Sequence, residues 1–132
     1  MALATTDYSN GVTLSANKIS VAQAGTYSFG FQFQVANPDA GIQEFYVWMR
    51  KNGTDLPYSA DKFSVPGKHG AVDGYLVAAS TFFVGMAAND YIEFYMAATV
   101  NTIHIETYAA NAPGFNVPTV PSADINVVFI ST

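Results

Sequence analysis

Tyr27-Ser28-Phe29-Gly30-Phe31-Gln32-Phe33-Gln34-Val35 alternates five large apolar residues with Ser, Gly and Gln. Successive side chains of a β-strand point to opposite faces, so this period of two predicts a strand with one face in a core. Ala24-Gly25 before it and Asn37-Pro38-Asp39 after it carry turn chemistry. Working outward, Val12-Thr13-Leu14 and Lys18-Ile19-Ser20-Val21 predict two short strands around a polar turn. Downstream, Glu44 to Lys51 predicts a strand closed by the hairpin signal Asn52-Gly53. Its alternation places Phe45, Val47 and Met49 on one face, and Tyr46 and Trp48 on the other.

Residues 54–70 predict a loop region with short extended pieces, in which Gly67-Lys68-His69-Gly70 is a flexible loop. Ala71 to Val84 predicts a long extended segment, with Gly74 as a candidate bulge. Gly85 to Asn89 is a predicted turn. In the next strand, Ile92, Phe94 and Met96 oppose Tyr91, Glu93 and Tyr95. Thr102 to Tyr108 alternates cleanly, Ala109 to Pro121 is a long loop, and Asp124 to Ile130 predicts a closing strand. The whole gives an expected seven to nine strands and no helical period, which indicates an all-β sandwich or jelly roll of two antiparallel sheets. The expected organisation is an N-terminal arm over 1–10 and one domain over 11–132.

The chain has 132 residues, half of them apolar and 11% charged, with a net charge of −5. Charged residues usually run near about 25%, so a small monomer has little charge with which to cover its surface. Burial in an oligomer explains the deficit. The cations are Lys18, Arg50, Lys51, Lys62 and Lys68, of which only Arg50-Lys51 is a run. Phosphate neutralisation needs clustered cations, so nucleic acid is not an expected partner. There is no cysteine, which excludes thiol catalysis and cysteine-held zinc. The start of the chain lacks the pattern of a secretory leader, and no apolar run is long enough to cross a bilayer. The expectation is a soluble chain, not secreted by its own leader, without membrane insertion.

Four segments resemble the C1q/TNF-like jelly roll, of the kind found in bacteriophage structural proteins. They are Ala24-Gly25-Thr26-Tyr27-Ser28-Phe29, Val47-Trp48-Met49-Arg50-Lys51-Asn52-Gly53-Thr54-Asp55, Ala87-Ala88-Asn89-Asp90-Tyr91-Ile92-Glu93 and Pro121-Ser122-Ala123-Asp124-Ile125. Their order spans about residues 8 to 131. Asn89 stands where the family has Gly, and Asn also tolerates positive φ. The resemblance implies a homotrimer about a three-fold axis, with no catalytic residues. The second faces of two strands fit this, because Tyr46, Trp48, Tyr91 and Tyr95 want a partner; these four are the expected trimer interface.

His69 and His104 are the only histidines. His104 and Glu106 share a strand face and suggest a surface or interface hydrogen bond before a metal site. The acidic residues are dispersed and none is spaced like a calcium loop. No phosphate loop or nucleophile elbow is present. No catalytic residue, metal or cofactor is therefore expected. Asn111, Phe115 and Asn116, in the long loop, are the expected partner-contact residues.

The expected function is that of a non-enzymatic virion structural protein, a homotrimeric capsid decoration (cement) protein assembled in the host cytoplasm. Its partners would be itself and other virion proteins such as the capsid shell. A receptor- or glycan-binding knob of a phage tail or head fibre, with a host-surface glycan as partner, is the alternative. A secreted C1q-like binding module is a further one.

Overall fold

The structure is a computed structural model that describes residues 3, 5, 6, 9–110, 114 and 116–132. These fold into strands without helices: β1 (Val12–Ser15), β2 (Lys18–Val21), β3 (Gly25–Asn37), β4 (Gln43–Lys51), β5 (Thr54–Asp55), β6 (Asp61–Val65), β7 (Gly74–Met86), β8 (Tyr91–Ala98), β9 (His104–Ile105) and β10 (Ala123–Ser131). One antiparallel sheet runs β1-β2-β8-β4, with β5 and β6 sharing the far edge of β4. The other runs β10-β3-β7, with β9 beside β3. The two sheets form a β-sandwich.

The alternation of β3 does what a period of two demands. Tyr27, Phe29, Phe31, Phe33 and Val35 are all buried. They meet Phe45, Val47 and Met49 of β4, and Ile92 and Phe94 of β8, in one core. Rings mesh across the sandwich: Phe31 lies 5.7 Å from Phe94 and 6.2 Å from Phe63 between centroids, and Phe33 lies 6.5 Å from Phe45. All three cross-sheet pairs are edge-on, the arrangement that the ring quadrupole favours.

The turns use the residues their backbones require. Ala16-Asn17 and Asn52-Gly53 both take positive φ at two consecutive positions, as tight hairpins do. Asn89 also takes positive φ, at 68°, so the turn before β8 is kept without glycine. That turn is locked to the β4–β5 hairpin. The Asp90 carboxylate accepts from Asn52 Nδ2 at 2.8 Å and from the Ala87 N–H at 2.8 Å, and pairs with Lys51 Nζ at 3.1 Å. Asn52 Oδ1 in turn accepts the Tyr91 N–H at 3.0 Å.

Four expectations need correction. Gly74 is no bulge: β3 and β7 pair without interruption from Gly25↔Met86 to Asn37↔Gly74. It is glycine because a Cβ there would stand 1.8 Å from the Pro66 carbonyl oxygen. Of the alternating stretch Thr102 to Tyr108, only His104–Ile105 pairs as a strand, opposite Val35 and Ala36. The rest of that edge of β3 belongs to β10. The segment around His69 is a tight turn closed by mutual His69 and Val72 backbone bonds, with Gly70 at φ 62°. Strands number ten among the described residues, because β5 and β9 are two-residue pieces.

Two side-chain sites hold the ends of this frame, and each makes a prediction. Asn37 is wholly buried. Its Nδ2 donates to the carbonyls of Gly41 at 2.9 Å and Pro66 at 3.0 Å, and its Oδ1 accepts the Asp39 N–H at 2.9 Å. Asn37→Ala leaves those buried groups unpaired and is expected to cost about 1–3 kcal/mol in urea unfolding. Asp90 is held down to about 2 by Asn52, the Ala87 N–H and Lys51. A carboxyl whose folded value is depressed stabilises above its unfolded value and loses that contribution as pH falls through the folded one. The stability gap between the native chain and Asp90→Asn should therefore be full at pH 6 and shrink between about pH 4 and 2. Thermal melts of both proteins across that range check it.

Candidate functional site: the outer faces of the sandwich

Each sheet turns one face to the core and one outward, and the two outward faces differ in chemistry. The six strands of the larger sheet carry Lys18, Glu44, Arg50, Lys51, Asp55, Asp61, Lys62 and Glu93. In the smaller sheet, β3 and β7 contain no charged residue, and β10 contains only Asp124.

The larger sheet places the four expected interface aromatics together on its outer face, all half-buried. Trp48 and Tyr95 are directly opposed across β4 and β8, and their rings stack at 5.8 Å. The chain's own charges cover what remains. The Arg50 guanidinium sits 4.2 Å above the Tyr95 ring, Lys18 Nζ 4.6 Å from that of Tyr91, and Lys62 Nζ 6.0 Å from that of Tyr46. Trp48 Nε1 donates to Asp55 Oδ1 at 3.0 Å, and the Tyr46 hydroxyl donates to Glu44 at 2.6 Å. The Glu44 carboxyl is held low by Lys62 and Tyr46, and that of Asp55 by Arg50 and Trp48. This face largely satisfies itself: each ring has a neighbour, and Arg50 pairs with Asp55, Lys51 with Asp90 and Lys62 with Glu44.

The outer face of the smaller sheet is bare. Its rows follow from the register: Val128, Ser28 and Phe83 in one, Asn126, Gly30 and Thr81 in the next, then Asp124, Gln32 and Ala79. Phe83 is 70% exposed, and Val77, Tyr75, Val128 and Ile130 are each about half exposed. The centre is small, with Gly30 and Ser28 between larger flanks, and a shallow depression lies over Gly30, Gln32, Thr81 and Asn126. These apolar groups are absent from the residues expected from sequence. Their signal was present: Phe83, Val77 and Val128 occupy the outward positions of strands that carry almost no charge.

At one end of this face His104 and Tyr75 flank Ala36. His104 Nε2 lies 3.0 Å from Glu106 Oε1, and its Nδ1 lies 2.9 Å from the Thr102 carbonyl. Both contacts favour the imidazolium, the Thr102 carbonyl first, and raise the His104 pKa. Burial pushes the neighbouring Tyr108 hydroxyl up to about 12, with Glu106 adding to it. The pair is the surface hydrogen bond expected from sequence. Among the described residues no three His, Asp or Glu side chains converge as metal ligands.

The remaining expected contacts sit elsewhere. Asn116 is exposed, whereas Asn111 and Phe115 lie outside the described residues. Within the expected N-terminal arm, Leu3 packs against the core, and its backbone N–H donates to Asn17 Oδ1 at 3.0 Å. Tyr58 is wholly exposed and takes a positive φ of 61° in the β5–β6 connection. No model of a known protein family matches the chain, and no curated protein does either. Among the described residues no helix is long and apolar enough to cross a membrane. The class defined on structural grounds is therefore that of an all-β, two-sheet sandwich with one self-satisfied and one bare outer face.

The His104 contacts generate a direct prediction. Glu106→Gln removes the counter-charge but leaves the Thr102 carbonyl in place. The His104 titration midpoint, followed by NMR, should fall relative to the native chain while staying above that of an unstructured peptide.

Proposed function

We propose that this chain is a non-enzymatic structural protein of a virion, a homotrimeric capsid decoration protein built on a C1q/TNF-like jelly roll. The observation that carries the assembly part is the bare outer face of the β10-β3-β7 sheet. Exposed apolar groups stand at both ends of this face, Phe83 and Val128 at one and Val77 and Tyr75 at the other, with uncharged Asn126, Thr81 and Gln32 and a single carboxylate between them. A face so poor in charge suits an interaction surface. The face suits another copy of itself, because a surface with almost no charge does not repel its like. This also gives the scarcity of charge a location: the charge that a monomer needs is concentrated on the other sheet.

The strand order supports the jelly-roll part. The chain passes between the sheets after β2, β3, β6, β7 and β8. As a result the last strand lies beside β3, and β8 lies between β2 and β4. The three-fold symmetry and the virion location rest on the family resemblance. The role follows from these together: a compact unit that trimerises through one face keeps other surfaces for a shell.

Two faces thus compete for the trimer contact, and they separate cleanly by experiment. Phe83→Asp with Val128→Asp should lower the light-scattering mass threefold at micromolar concentration. Exposed positions tolerate such changes, so the dissociated chain should keep the β-sheet circular dichroism and cooperative unfolding of a folded domain. Tyr91→Asp with Tyr95→Asp should lower stability, because those rings support Trp48, Lys18 and Arg50, while the chain still trimerises. The opposite pattern of masses places the contact on the aromatic face, and a native chain that scatters as a monomer overturns the trimer. Co-sedimentation with shells of its own virus tests the role: failure of the native trimer to bind them overturns decoration.

A further inference from the structure

Phe129 stands on the core side of β10 with Ile125 and Val127, and its ring meets that of buried Tyr27 edge-on at 5.3 Å. It is nevertheless 43% exposed. Its neighbours Val128, on the outer side, and Ile130, at the register shift, are 53% and 50% exposed. Three consecutive apolar residues, drawn from both faces of one strand, are therefore open to water. A partner resting on the outer face would cover Val128 but leave Phe129 bare. Only something beside β10 covers both sides at once.

That edge is open. β10 pairs with β3 along one side, and among the described residues no strand pairs with the other. Unpaired strand edges are templates for another strand, and proteins usually guard them with Lys, Pro or a bulge. β10 has no Lys and no Pro, and its one irregularity is the register shift between Phe129 and Ser131.

We propose that two copies of this chain join edge to edge through β10, antiparallel and centred on Val127. The sequence of β10 is self-complementary in that register. Val127 opposes Val127 of the second copy, and Ile125 opposes Phe129, so the core-side positions meet apolar against apolar. On the outer side Asn126 opposes Val128, and the paired stretch runs from Ile125 to Phe129, ending before the register shift at Ile130. The two Asp124 carboxylates then lie about 20 Å apart at the ordinary rise of a strand, beyond any strong repulsion. A two-fold contact of this kind uses the same patch on both copies. It turns two four-stranded sheets into one continuous sheet, with both bare outer faces on the same side. The inference stands independently of the trimer contact. If both exist, three-fold and two-fold contacts on one chain tie trimers to one another.

Disulfide trapping tests it, in a chain that has no cysteine of its own. Opposed residues of an antiparallel pair are within disulfide reach, with Cα atoms about 4.5–5.5 Å apart. Under mild oxidation at micromolar concentration, Val127→Cys should run as a covalent dimer on a non-reducing gel, and Asp124→Cys should not. Phe83→Asp added to Val127→Cys should leave the yield unchanged, which separates this contact from the trimer face. A folded Val127→Cys chain that stays single, or equal linking by Asp124→Cys, overturns the proposal. Amide exchange on the native chain provides a reading without mutation. Alternate amides of β10 should gain protection as concentration rises, and protection that does not depend on concentration overturns the pairing.

Discussion

The edge-on contact of Phe31 with Phe94 and Phe63 joins the two sheets, and the rest of the molecule follows from it. Phe31 is the middle of five inward residues on β3, and its ring also stacks on Phe33 at 5.0 Å. Burying a side chain of this size stabilises by roughly 1.5–3 kcal/mol, and β3 does so at every second position. A slip of one residue would turn all five outward and place Ser28, Gly30 and Gln32 in the core. The register of β3 is thereby settled, and with it that of β7 and β10, which pair along its two sides. Which residues look outward from the smaller sheet is a consequence of how the core is filled.

The same constraint explains why the two outer faces differ. On the larger sheet, β4 and β8 are flanked by strands on both sides, so Trp48, Tyr95, Tyr46 and Tyr91 have cross-strand and charged neighbours. The outward aromatics there are absorbed into an ion-paired lattice. On the smaller sheet the edge strands β7 and β10 pair only with β3 among the described residues, and their outward residues are uncharged apart from Asp124. Charge that covers one face is missing from the other. This segregation gives the composition a location: the shortage of charge is local to one face.

Much of the frame was legible from residue order. The period of two in β3, β4 and β8 assigned the inward sets, and Phe29, Val47 and Ile92 are where that period puts them. Asn52-Gly53 named its hairpin, and Asn89 kept a turn that glycine usually makes. Less legible was what depends on distant neighbours. Gly74 is explained by the Pro66 carbonyl, eight positions away along the chain but in contact through the fold. The alternation of Thr102 to Tyr108 satisfies the rule for a strand, yet β10 takes most of the edge of β3 that such a strand would need.

The sequence by itself determined the class of fold and which side of each main strand is apolar, because alternation is a local property that any strand must express. It also contained the scarcity of charge. Only the tertiary structure decided where that scarcity lies and which aromatic residues remain open. Exposure depends on which strands end up side by side: Tyr95 gains Trp48 and Arg50 as neighbours, whereas Phe83 and Phe129 gain nothing on their free sides. Two aromatics with the same local pattern therefore differ in what they can bind.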